Sequence, residues 1–84
     1  MRVVCVFREN QDYTRSVTDW IENFRRQTGH EIEALNPDEN TDFCETYDIV
    51  EYPTFLALDN RGSVLASWRG RELPLINEVL FYML

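Results

Sequence analysis

Lysine is absent from this 84-residue sequence: all eight basic residues are arginine, set against fifteen Asp and Glu and a single histidine. The net charge of −7 repels phosphate backbones and anionic lipid, so neither nucleic acid nor a membrane surface is an expected partner. Nothing in the composition accounts for the arginine-only bias. Cysteine is scarce as well. Cys5 and Cys44 lie far apart, which suits a reducing compartment and excludes a disulfide framework. His30 alone cannot build a metal centre. The three glycines punctuate turns and make no phosphate-cradling loop, so no cofactor is expected. No apolar run approaches the roughly 20 residues of a membrane span. Met1 leads straight into an apolar strand without a signal-peptide pattern, and the expectation is a soluble cytoplasmic protein.

What is present is a chain able to fold. Hydrophobic residues make up 44% and aromatic residues 13%, a globular rather than a disordered composition. Repeats, low-complexity stretches and linkers are missing, so residues 1–84 read as a single domain. "RVVCVF" at 2–7 is apolar on both faces, as a central strand covered on two sides should be. From Tyr13 the period becomes helical, with Tyr13, Thr14, Val17, Trp20, Ile21, Phe24 and Thr28 on one face. Asp12 can cap this helix, with a second capping signal at Ser16 and Asp19. Glu22 and Arg26 are spaced for an ion pair, and Gly29 ends the helix. "EIEAL" at 31–35 is a second strand. Asn40 or Thr41 caps a short helix through about Tyr47. "PTFLALD" and "SVLASW", joined by "NRG", form a hairpin. A last helix runs from about Leu73 to the end, with Pro74 in its first turn. Its apolar stripe is Leu73, Leu75, Ile76, Val79, Leu80, Met83 and Leu84; Phe81 falls outside it. The order is β-α-β-α-β-β-α, an α/β fold with a four-stranded mixed sheet and helices on both faces.

That order, with "YDIVEYPTFLALDNRGSVLASWRG" at 47–70, resembles the thioredoxin-like superfamily. The family phrase is carried by Tyr47, Ile49, Pro53-Thr54, Gly62 and Gly70, and the likeness extends from Val3 to the terminus. Asp48 stands where the family usually has Gly, and Asp tolerates a left-handed backbone better than most residues. The resemblance implies a cis-proline at Pro53 bordering the active site, with the backbone of Tyr52 turned outward toward an extended peptide. The alternative is that Pro53 only starts a strand.

Redox members of the family carry Cys-x-x-Cys at the start of the first helix, where the macrodipole lowers the thiol pKa. Counted from Phe7, those positions are Asp12 and Arg15, so "DYTR" replaces the dithiol. Asp12 and Arg15 have ordinary explanations as a cap, worth about 1 kcal/mol, and a solvated residue. The alternative is a recognition surface of Asp12, Tyr13, Thr14 and Arg15 beside Tyr52, Pro53 and Thr54. Cys5, inside the first strand, reads as a buried and inert thiol. Cys44, on the short helix and away from that surface, is the one candidate reactive thiol. The carboxylates of "NPDENTDFCE" lack the spacing of a calcium loop. Three functions follow. The first is a redox-inactive, non-enzymatic module binding a protein or peptide. The second is a single-thiol redox or sensing protein using Cys44. The third is a structural subunit associating through the last helix, as a homodimer through Phe81 and Tyr82.

Overall fold

A computed structural model describes residues 1–84. Strand β1 (Arg2–Val6) leads to α1 (Thr14–Thr28), β2 (Glu33–Leu35), α2 (Thr41–Thr46), β3 (Thr54–Leu58), β4 (Val64–Arg69) and α3 (Ile76–Leu80), and a turn of 3₁₀ helix, Phe81–Met83, closes the chain. The four strands make one sheet in the order β2-β1-β3-β4. β1 is parallel to β2 and antiparallel to β3, and β3 is antiparallel to β4. The α/β architecture with a mixed sheet is the one expected from the sequence.

Strand alternation divides the core. Val3, Cys5, Phe55 and Ala57 face α1 and α3, where they meet Val17, Phe24 and Val79. Val4, Val6, Leu56 and Leu58 face the other way and pack with Ile49, Phe43, Cys44 and Tyr47 under α2. Because β1 and β3 are covered on both faces, their residues from Val3 to Val6 and from Thr54 to Leu58 are all buried. Trp20 bridges α1 to the sheet. Its ring stacks on Phe24 at 5.2 Å and meets the edge of Phe55 at 4.8 Å, and its indole N–H donates to the Pro74 carbonyl at 2.8 Å.

Several local expectations fail. Asp12 does not cap α1: the capping position is Tyr13 and no side chain bonds there. Glu22 and Arg26 do not pair; Arg26 bonds Asn23, and the helix's i,i+4 pair is Arg15 with Asp19 at 4.0 Å. The last helix starts three residues late, because Pro74 and Leu75 remain extended. The Leu75 N–H donates to the Glu78 carboxylate at 3.0 Å and sets the start. Leu75 and Leu84 consequently leave the apolar stripe and are 70% and 81% exposed. Gly29 ends α1 at φ 76° with its N–H on the Arg25 carbonyl, and Asp48 is left-handed at φ 53°, both as the sequence suggests. No helix is long and apolar enough to cross a membrane.

Phe24→Ala removes a fully buried ring and should cost about 3–5 kcal/mol, a large part of the roughly 5–15 kcal/mol typical of a domain. Urea unfolding of this variant beside exposed Gln27→Ala, expected within about 0.5 kcal/mol of wild type, checks that the α1–sheet contact carries the stability.

Candidate functional site

The chain leaves β1 at Phe7, whose N–H still donates to the Leu35 carbonyl of β2 at 3.1 Å. Arg8 follows, and its backbone is held at both polar groups. Its N–H donates to the Tyr13 hydroxyl at 2.9 Å, and its carbonyl accepts from the Thr14 hydroxyl at 2.7 Å. Thr14 also accepts from the Gln11 N–H at 3.0 Å. The loop of residues 8–13 is therefore closed onto the first turn of α1 by two side chains that the sequence presents as recognition residues. In that turn the N–H groups of Arg15 and Ser16 have no acceptor within the chain.

Two arginines dominate the surface around this turn. Arg71 donates to the Asp12 carboxylate at 2.6 Å and lies over the Tyr13 ring, 5.6 Å from its centre. Arg8 lies 5.1 Å over the Tyr52 ring and pairs with Asp38 at 3.1 Å. Each guanidinium thus has one aromatic face and one carboxylate. The hydrogen bond from Arg71 is the main cause holding the Asp12 carboxyl below the usual carboxylate range, and Asp12 in turn raises Arg71.

Arg71 reaches this position through the turn at Gly70. Gly70 adopts φ 98° and donates its N–H to the Pro53 carbonyl at 2.9 Å, bringing the end of β4 beside the 51–53 loop. The Tyr52–Pro53 peptide bond is cis. Neither the N–H nor the carbonyl of Tyr52 has a hydrogen-bond partner in the chain. Pro53 and Thr54 are buried, and the Thr54 hydroxyl is spent on the Glu51 carbonyl at 2.6 Å.

The seven residues singled out in the sequence are thus dispersed in role. Asp12, Tyr13 and Tyr52 gather around the two guanidinium groups. Thr14 and Thr54 lock backbone. Arg15 turns away, with its side chain 94% exposed and only Asp19 for a partner. Arg8, Asp38 and Arg71 were not foreseen. Asp12 and Arg71 are 59 positions apart, and no local pattern marks such a pair.

The thiols sit on opposite sides of the sheet. Cys5 is fully buried on the α1 face, and desolvation pushes its pKa far up. Cys44 is half-buried on the α2 face and both are free. Cys44 packs against the core on the α2 face, as do Phe43 and Tyr47. Burial raises its pKa; the charge of Arg8 lowers it and that of Asp38 raises it, both more weakly. No group of three or more His, Cys, Asp or Glu side chains is placed to hold a metal ion.

No protein-family model matches the chain, and neither does any curated protein. Solved structures do. Thioredoxin 1 from Thermosipho africanus superposes with a TM-score of 0.72 at 16% identity, covering 99% of this chain and 90% of that one. A Fasciola hepatica thioredoxin gives 0.73 at 18% identity over 94% of this chain and 73% of its own. The germline thioredoxin Deadhead of Drosophila melanogaster gives 0.70 at 18% identity over 96% and 75%. At such identities the likeness is one of architecture, and with the strand order, the helix placement and the 47–70 phrase it establishes that this chain has the thioredoxin-like fold.

Proposed function

We propose that the chain is a binding module for an extended protein or peptide segment, taken up along Tyr52 and Pro53 beside the start of α1, and that it carries out no dithiol exchange. The observation that carries the reading is the unpartnered N–H and carbonyl of Tyr52. An extended segment can pair with both, as strands add to a backbone that offers donor and acceptor together. The Arg8–Tyr52 and Arg71–Tyr13 stacks flank this backbone with flat, amphipathic surface of the kind that anchors peptide side chains. Asp12 and Arg15 hold the two positions where electron exchange needs sulfur, and neither can form a mixed disulfide. The partner is a cytoplasmic protein segment in this reading, and no cofactor takes part.

The single-thiol alternative rests on the partial exposure of Cys44 and the charge of Arg8, which favours its thiolate. Against it stands the raised pKa of that thiol, since the thiolate is the reactive form.

Two measurements test these readings. A peptide selected from a random displayed library, titrated into isotopically labelled chain, should shift the amides of Tyr52, Thr54, Asp12–Thr14 and Gly70–Arg71. Arg71→Ala should then weaken binding about tenfold, or about 1.4 kcal/mol, while Arg15→Ala leaves it unchanged. Shifts confined to other surfaces, or equal losses from both variants, would overturn the assignment. For the thiols, the folded chain should be alkylated by iodoacetamide at Cys44 alone. Because the raised pKa keeps the group protonated, the rate should still be climbing above pH 9, near the ordinary thiol value of 9.0. A rate that levels off below about pH 8 would reveal a stabilised thiolate and favour the single-thiol reading.

A further inference from the structure

The two edges of the sheet differ. β2 has only three residues, and its Glu33 is engaged by Arg2 through a two-bonded ion pair at 2.7 and 2.9 Å. A short, charged edge is poorly suited to strand addition. β4 has six residues and pairs only with β3. Of its residues, VLASWR, only Arg69 is charged and none is proline. No side chain bonds the backbone of Val64 to Arg69, so its outward N–H and carbonyl groups have no partner in the chain. The bulge that shifts the register lies between Val64 and Ala66 and leaves Ala66 to Arg69 regular.

Apolar surface collects along the same edge. Val64 is 46% exposed and Leu65 43%, and Phe81 is 70% exposed across an open groove of about 310 Å³ formed with Ala66, Trp68 and Tyr82. Glu78 is the one ionisable acid bordering that groove. On a chain of net charge −7, this face therefore carries little of the negative charge.

We infer that the β4 edge, with Phe81, is the contact surface for a second copy of this chain, joined by antiparallel pairing of β4 with β4 into a continuous eight-stranded sheet. Faces match only when paired positions have an even sum. Pairing about Ser67 satisfies this: Ser67 meets Ser67 of the second copy, and small Ala66 lies beside large Trp68 across the two-fold axis, the self-complementary arrangement such an axis requires. The peptide site begins one residue beyond β4, at Gly70, and the test of this surface uses the chain without peptide and does not depend on that proposal.

Sedimentation velocity from about 1 μM to about 1 mM should reveal a reversible monomer–dimer equilibrium. Raising salt from about 10 mM to about 0.5 M should tighten it several-fold, because screening relieves the repulsion between two acidic chains while the contact contains few charges. Leu65→Lys and Phe81→Asp, both at exposed side chains, should each abolish the dimer with unchanged circular dichroism. If Leu65→Lys disturbs the fold, Phe81→Asp decides. A chain monomeric throughout this range at both salt concentrations, or a dimer that survives Phe81→Asp, would overturn the inference; the first result would leave the edge to a different protein.

Discussion

Strand β1 is enclosed on all four sides, and the placement of everything else follows from that enclosure. β2 and β3 take its two backbone edges, while α1 and α3 cover one face and α2 the other. From Val3 to Val6 its side chains are β-branched or small and contribute to both cores. The strand end is consequently a stationary point, and Arg8 emerges from it with both backbone groups already bonded to Tyr13 and Thr14. Two hydroxyls thus transmit the position of the sheet to the first turn of α1, which keeps the candidate site on a rigid support rather than on a free loop.

The charges at that site are balanced rather than accumulated. Arg71 is matched by Asp12 and Arg8 by Asp38. Exposed pairs of this kind add little to stability, and their effect here is positional. Each guanidinium is held against a ring, so Tyr13 and Tyr52 present defined faces. Asp12 remains ionised to lower pH than a free carboxyl. Because its folded pKa is lowered, the contribution of its pairing is complete above the ordinary carboxylate range and is lost as pH falls through the lowered value.

Elements whose cause is local were legible in the sequence. The apolar run of β1, the stripe of α1, Gly29 as its terminator and left-handed Asp48 all follow from a few adjacent residues. The 47–70 phrase then supplied the topology. What escaped was set by contacts distant in the chain. Asp12 looks like a cap when read beside Tyr13 and Thr14, but Arg71 competes for its carboxylate from beyond the last strand. Arg69 is another such case: it donates to the Tyr47 and Asp48 carbonyls at 3.1 and 2.8 Å and closes the end of α2 from across the sheet. Just ahead of α3, the indole of Trp20 takes the Pro74 carbonyl from 54 positions away. Sequence periodicity has no means of weighing that bond.

Neither cysteine lies at the start of α1, and the electrostatics of this turn are set by other groups. The amino end of a helix carries a partial positive charge that favours an anion nearby, and in a dithiol protein that field acts on a thiolate. Here the carboxylate of Asp12 stands two residues before α1 and is itself neutralised by Arg71. A fixed anion and cation therefore occupy the ground where a titrating group would need an unbalanced field. The two cysteines that remain sit where burial raises their pKa, one on each face of the sheet. At this turn the paired charges of Asp12 and Arg71 and the hydrogen bonds of Tyr13 and Thr14 thus form a charge-paired, hydrogen-bonded surface beside the free backbone groups of Tyr52.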